Sequence, residues 1–412
     1  MTAGQDRPWP PQSMGMARLT TMAFHGENMV PSAIELLKRS EADHSDAAAL
    51  LDLATIHFLL GHEEAGLTYQ ERALALDQVY REPTDAADGD DGAIRLLAFA
   101  APGNLMSNVP IQFLLEDSDI RLDLLFVVPG EDLPERVPGH DMAMVIVGES
   151  EANREILERI AAFADLWPCP PVLNDPRKVL QLSRDGVSTL LAGAPGIRIP
   201  ATTRVDPQDL ARLGRGEAAL SDLLPDGSFP VIARPVDSHA GKGLAKLDAP
   251  STIGLYLAAH PAEAYYLSSF VDYRGEGGMF RKYRIAMIDG KPYVCHMAVS
   301  DHWMIHYLNA DMRESAEKRA EEARAFATFD EDFAARHAGA FAAMAERIGL
   351  DYFAMDCAET PEGELLVFEA DTAMIVHAMD PPDIFPYKAP QMRRIFKAFQ
   401  DMLRRVKQSK TS

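Results

Sequence analysis

From Ser32 to Tyr80 apolar residues recur at helical spacing. Three pieces, "SAIELLKRS", "DAAALLDLATIHFLLG" and "HEEAGLTYQERALALDQ", predict helices, the last two forming a hairpin around Gly61. Residues 1–30 are rich in Pro, Gly and Met with weak periodicity, which reads as a flexible arm. A polar stretch, "PTDAADGDDG" (83–92), has linker composition and closes the helical segment 31–82. Past it the period changes. "AIRLLAFAA", "LDLLFVV" and "MAMVIVG" are short apolar runs separated by helix-like or turn-rich text such as "EANREILERIAAFADLW". Strands alternating with helices predict a parallel α/β sheet over 93–175. "APGNLMSNVP" follows the first of these strands, where α/β folds bind ligands.

From Asp175 the pattern predicts a helix, a second short helix, and "GIRIPATT" in extended form. "FPVIARPVDSHAGKG" reads as a strand ending in Arg234, then a loop with Gly241 and Gly243 around Lys242. "AYYLSSFVDY" is a strand entering a loop, and "FRKYRIAMIDGKPYVCHMAV" is a hairpin turning at Asp289–Gly290. "EDFAARHAGAFAAMAERIGL" is an amphipathic helix. A second hairpin, "YFAMDCAE…GELLVFEAD", brings Asp356 opposite the Glu369–Asp371 end. The class is α/β with α+β character, divided at 176–272 and 273–412.

The chemistry concentrates in that second half. Glu369 and Asp371 are two apart at the end of an apolar strand, so both point to one face. Like charges there repel and resist desolvation, so a positive partner is expected, and magnesium suits oxygen ligands. The loop glycines let backbone N–H groups approach phosphate oxygens, with Lys242 adding charge. Arg281, Lys282 and Arg284 crowd one strand.

Composition narrows the class. A 412-residue chain is expected to form two or three units, and 47% hydrophobic with 25% charged residues describes a globular protein. No apolar run reaches the roughly 20 residues of a membrane helix, and the first residues lack the basic start and apolar core of a secretory signal. Cys169, Cys295 and Cys357 have no metal-type spacing, which fits a reduced, cytoplasmic compartment. A net charge of −22 argues against nucleic acid as a partner; neither it nor a membrane is expected.

The helical segment resembles one tetratricopeptide repeat, with Leu53, Ala54, Gly61, Tyr69, Ala73 and Leu76 in the repeat's positions. A single copy suggests a cap that docks on its own chain, a second copy or a protein partner, beside the reading as a peptide-binding scaffold. From about 93 to 405 the chain resembles the ATP-grasp superfamily, which includes D-alanine–D-alanine ligase, glutathione synthetase and the glutamate ligases that modify protein tails. Four pieces carry the resemblance in the family's order: "GIRIPATT", "FPVIARPVDSHAGKG", "FRKYRIAMIDGKPYV" and "MDCAETPEGELLVFEAD".

The resemblance implies ATP and magnesium (or manganese) as cofactors, with Asp356, Glu369 and Asp371 as metal ligands; Asp371 stands where the family has Asn. It implies that "DSHAGKG", with His239, Gly241, Lys242 and Gly243, closes over the phosphates. Arg234 stands in place of the strand's usual Lys, and Arg184 or Lys178 in place of the earlier one. Phe270 and Val271 would read adenine through their backbone and Asp272 the ribose, although the family's hinge Glu is missing. Lys282 is placed with the nucleotide, and Arg284 matches the Arg that stabilises the transferring phosphoryl group. The family's second Arg is missing; His296 stands in that region, with His302, His306 and His377 as substrate-side candidates and Asn309 matching a polar residue near the phosphates. The implied reaction activates a carboxylate as an acyl phosphate and joins it to an amine. Two other readings use the same residues: a phosphotransferase acting on a hydroxyl, and a non-catalytic nucleotide-binding or helical-repeat interaction module.

Overall fold

The computed structural model describes residues 9–84, 93–225, 227–238 and 241–409. Most of the expected linker therefore lies outside the described residues. The chain divides into two compact units. The first takes 1–180, 350–352 and 372–412, and the second takes 181–349 and 353–371.

The first unit begins with α1 (Met16–Phe24), α2 (Val30–Ala42), α3 (Ala47–Leu59) and α4 (Glu63–Leu74). Residues 9–30 are not an arm. Both carboxylate oxygens of Asp52, on α3, accept from the Met14 N–H at 3.0 and 2.8 Å, and the Trp9 indole donates to Asp77 at 3.0 Å. Leu19 is fully buried among Leu36, Leu53 and Ile56. The hydrogen bonds join residues 38 and 68 positions apart, which local periodicity does not report. The hairpin of α3 and α4 forms around Gly61, whose φ of +76° is the left-handed conformation glycine adopts without strain. Leu53, Ala54 and Ala73 are buried, while Leu76 is largely exposed.

The helical pattern was expected to run to Tyr80, yet Val79–Arg81 is a strand, β1. It pairs antiparallel with β3 (Arg121–Phe126), where Arg81 faces Asp123 across the ladder with an ion pair at 2.8 Å. β2 (Arg95–Ala100), β4 (Met142–Val145) and β5 (Val172–Leu173) complete a sheet of order β1-β3-β2-β4-β5. Apart from β1 its pairs are parallel, as the apolar runs predict. α5 (Ile111–Leu114), α6 (Arg154–Ala164) and α7 (Pro176–Val179) lie between or after these strands.

The second unit contains α8 (Arg184–Leu191), β6 (Ile197–Arg198), β7 (Thr202–Val205), α9 (Pro207–Gly214), α10 (Leu220–Leu223), β8 (Val231–Pro235), β9 (Ala245–Leu247), α11 (Ile253–Ala259) and β10 (Tyr265–Ser269). β7, β10, β8 and β9 form an antiparallel sheet, with Val231, Ala233, Tyr265 and Leu267 in its core. β11 (Phe280–Ile288), β12 (Lys291–Ser300), α12 (Ala316–Thr328), α13 (Phe333–Arg336), α14 (Ala338–Ile348), β13 (Tyr352–Glu359) and β14 (Leu365–Asp371) follow. A second sheet runs β12-β11-β13-β14-β6. Asp289 and Gly290 turn the first hairpin with φ of +49° and +72°, the signs a two-residue hairpin loop needs. The helix expected over 331–350 breaks at His337, whose ring packs on Phe333 and whose Nε2 lies 3.1 Å from Glu359.

The last helix, α15 (Lys388–Ser409), belongs to the first unit, so 273–412 is not one domain. Its buried stripe of Met392, Ile395, Phe396, Phe399, Met402 and Leu403 follows the 3.6-residue period. Phe399 meets Tyr352 edge-on, and Gln400 donates to the Leu114 carbonyl.

Two carboxyls of the first unit, on Asp52 and Glu82, are buried, and burial pushes each up to about 7. In the unfolded chain both ionise near pH 4, so from about pH 4 to 7 only the folded state keeps these protons. Stability therefore falls as pH rises through that window. Asp52→Asn keeps an acceptor for Met14 and removes the burial cost of the charge. Its melting temperature should equal wild type's near pH 4 and exceed it at pH 8, by about 2–4 kcal/mol of stability. Thermal melts across that pH range check this; a variant that melts lower than wild type at pH 8 refutes it.

Candidate active site

Strand register gathers the charged residues of the second unit. On β11, Lys282 and Arg284 are two apart and share a face. Across the β13–β14 ladder Asp356 is opposite Glu369 and Ala354 opposite Asp371, so the three acids share a face too. β11 is the neighbour of β13 in the sheet. Asp356 is almost fully buried and accepts from Arg284 Nε at 2.8 Å, Arg284 Nη2 at 3.1 Å and Lys282 Nζ at 2.8 Å. Glu369 accepts from the guanidinium of Arg184, the first residue of α8. Each ladder slips by one residue beside these charges, at Arg284/Ile285 and at Asp356/Cys357. Bulges of this kind re-aim side chains and are common next to active sites.

Burial is the largest influence on the Asp356 carboxyl and would raise its pKa. Arg284 and Lys282 outweigh it and hold the group well below the usual carboxylate range. Glu369 follows the same pattern: burial raises it, Arg184 lowers it, and the net position is below ordinary. Arg284 is held above its ordinary value because Asp356 more than offsets burial. Arg234, at the end of β8, is brought down to about 10 by burial and by Arg184, with Glu369 opposing. Arg184, Arg234 and Glu369 thus influence one another, with Arg234 on one sheet of the unit and Glu369 on the other.

Arg234 also fastens the start of the glycine loop, donating from Nε to the Ser238 hydroxyl at 3.2 Å and from Nη2 to the Ser238 carbonyl. Gly241 and Gly243 have φ of +74° and +69°, and a Cβ on Gly243 would sit 2.7 Å from Pro235 Cδ. Only glycine fits that approach. Lys242 is exposed, and His239 lies outside the described residues.

The other expected residues fall as follows. Phe270 meets the Trp303 ring edge-on at 5.8 Å, and the Lys246 ammonium lies 4.7 Å from the Phe270 ring centre. These three line a cavity of about 220 Å³ together with Asp272, Arg274 and Phe280. Asp272 is paired with Arg274, which lowers its pKa, and Val271 is half-buried. His296 is the register partner of Arg284, with its ring 4.8 Å from Tyr307. His306 is kept below its ordinary pKa by burial and by Lys282 and Arg284, whereas His302 is 82% exposed. Asn309 Oδ1 accepts from the His306 N–H. Lys178 and His377 belong to the first unit, where His377 packs on Phe24 and Phe113. Of the two candidate cations, Arg184 is the one that reaches Glu369.

Trp303 is not marked in the sequence because it sits in a loop, and Lys246 because nothing local sets its short strand against Phe270. Nor is Glu322 of α12, which is fully buried and accepts from the Met297 N–H at 3.0 Å and the Tyr307 hydroxyl at 2.9 Å. One of three glutamates in the charged text "EKRAEEAR", it gives no sign of that.

The donor types suit a divalent cation, but the arrangement does not. Both oxygens of Asp356 are bonded to this chain's own cations and Glu369 is held by Arg184. Among the described residues no group of three or more His, Cys, Asp or Glu side chains is placed to hold a metal ion. The cations themselves suit a polyphosphate.

No protein-family model matches the chain, and no curated protein matches it. Solved structures resemble it at low identity. The VanG D-Ala:D-Ser ligase from Enterococcus faecalis is 12% identical with a TM-score of 0.45, over 76% of this chain and 99% of that one. D-alanine–D-alanine ligase from Bacillus anthracis complexed with ATP is 12% identical at 0.43, over 77% and 99%. A RimK domain ATP-grasp protein from Sphaerobacter thermophilus is 14% identical at 0.39, over 75% and 99%.

Because Asp356 is depressed in the folded state, its ion pairs stabilise the fold above about pH 4, and that contribution is lost as pH falls below it. Asp356→Asn leaves Lys282 and Arg284 facing a neutral group. The variant should lose about 3 kcal/mol at pH 7 and show a shallower fall in melting temperature between pH 5 and 3 than wild type. Parallel acid limbs in the two proteins would refute the assignment.

Proposed function

We propose that the protein is an ATP-dependent, ADP-forming carboxylate–amine ligase of the ATP-grasp type. The observation that supports it most is the convergence of Arg184, Arg234, Lys282 and Arg284 on one face, beside a loop whose glycines expose backbone. Four cations against three acids leave a surplus that a triphosphate would neutralise. In this reading the base lies against the backbone of Phe270 and Val271, with the Phe270–Trp303 cavity beside it and Asp272 toward the ribose.

A substrate carboxylate oxygen attacks the γ-phosphorus, and the bond to the bridging oxygen breaks, its electron pair leaving with ADP. Charge spreads over the equatorial oxygens of the transferring group, where Arg284 and Lys282, already positioned by Asp356, stabilise it without reorganising. An amine nitrogen then attacks the acyl carbon. The carbon–oxygen bond to phosphate breaks, phosphate leaves, the amine gives up a proton, and an amide remains. His296, beside Arg284, faces the acceptor. No nucleophilic side chain of the protein is required.

Incubating the full chain with ATP and pooled amino acids and small carboxylic acids should release ADP. The product should have the mass of acid plus amine less water. A phosphorylated hydroxyl as the product would overturn the ligase reading in favour of phosphotransfer. Arg284→Ala should lower kcat by about 10²–10³, and Glu369→Ala should abolish turnover with the circular dichroism spectrum unchanged. Wild-type turnover in Glu369→Ala would remove that acid from the site.

A further inference from the structure

A cavity of about 80 Å³ lies within the first unit, among α3, α4 and the loop that follows β2. That loop is "APGNLMSNVP", placed where α/β folds bind ligands and given no part in the reaction proposed above. Asp52 and Glu82, both buried, line the cavity. Phe58, Phe126 and Ile146 supply apolar wall. Asn104 on the same wall is exposed and Phe58 half-buried, so the cavity reaches solvent there. Among the described residues no Lys, Arg or His lines it.

The hydrogen bonds of the wall decide what it can take. Gln70 accepts from the Gly103 N–H at 2.7 Å and donates to the Gly103 carbonyl at 3.0 Å. Asn108 treats Ala101 the same way, at 2.8 Å in each direction. Asn104 donates to Glu63 and accepts from the Met106 N–H. These amides brace the loop and are already engaged. The acids are not filled. Asp52 accepts from the Met14 N–H and Glu82 from the Ser13 hydroxyl at 3.4 Å, while a carboxylate offers about four acceptor positions. Gln112, on α5, also lines the cavity, and its Oε1 is buried with no donor among the described residues. Buried acceptors without donors, and buried carboxyls without a cation, are both unfavourable.

A guest that answers this wall donates hydrogen bonds, carries positive charge and has a small apolar body. A primary ammonium offers three donors and no acceptor, against the three acceptors of Asp52, Glu82 and Gln112. A hard metal ion wants about six oxygens or more, whereas much of this wall is carbon. An anion would meet two acids and no cation. We propose that this cavity binds a short-chain primary amine as its ammonium ion, held by Asp52, Glu82 and Gln112 Oε1, with its carbons against Phe58, Phe126 and Ile146. The site belongs to the first unit alone and does not depend on the nucleotide reading of the second.

Methyl-, ethyl- and n-propylammonium chloride, titrated into the full chain at pH 8, test this through the Met14 amide resonance in nitrogen–proton correlation spectra. That pH is above the value of about 7 to which burial raises each acid, so both carry charge. Saturable shifts are expected with the ammonium ions. Ethanol and n-propanol should bind at least about tenfold more weakly, since charge-assisted hydrogen bonds are the stronger kind. The double variant Asp52→Asn, Glu82→Gln keeps the shape and removes the charge, and should lower ammonium affinity at least about tenfold. Circular dichroism melts establish that it is folded. No saturable shift with any of the three amines overturns the proposal. So do alcohols that bind as tightly, potassium chloride that produces the same saturable shift, or a double variant that binds amine as well as wild type.

Discussion

The structure of the second unit depends on one buried carboxylate. Asp356 sits in the middle of a strand whose neighbours Met355 and Cys357 are fully buried, where an unpaired charge would be intolerable. Its tolerance is arranged by the adjacent strand, which supplies a guanidinium edge and an ammonium at hydrogen-bonding distance. The pairing fixes Lys282 and Arg284 in direction, and bulges in both ladders accommodate the crowding. The same acid that is costly to bury thereby becomes the element that pre-aims the cations. Electrostatic preorganisation of this kind is set up during folding, not at the moment a ligand arrives.

Much of this was readable in the chain, and the reason lies in periodicity. The two hairpins follow from alternation plus a turn. Asp289–Gly290 pins one of them; counting back through the other puts Asp356 against Phe368, and the bulge beside Cys357 supplies the last step to Glu369. The parallel sheet follows from three apolar runs of the right length. Arg284 and Lys282 sit two apart, so their common face needs only the period of a strand.

What could not be read is what depends on contacts between distant residues. Arg184 and Glu369 are 185 positions apart, and no local rule selects Arg184 over Lys178. The strand at 79–81 looked like the tail of a helix because its pairing partner begins forty residues later. Residues 9–15 looked unstructured because Asp52 and Arg81, which hold them, carry no signature of doing so. The aromatic cavity at Phe270 and Trp303 depends on two loops that meet only in the fold.

The return of the final helix to the first unit has a consequence for biosynthesis. Tyr352 and Phe399, Leu114 and Gln400, Ala93 and Lys407 are partners across long stretches of chain. A ribosome must therefore pass the final helix before these partners in the first unit can be covered. Until then the apolar side chains that meet its buried stripe stay open to chaperones. The interposed second unit can close sooner, since its own contacts lie between 181 and 371. The first unit then completes its packing after the second, although it begins earlier in the chain.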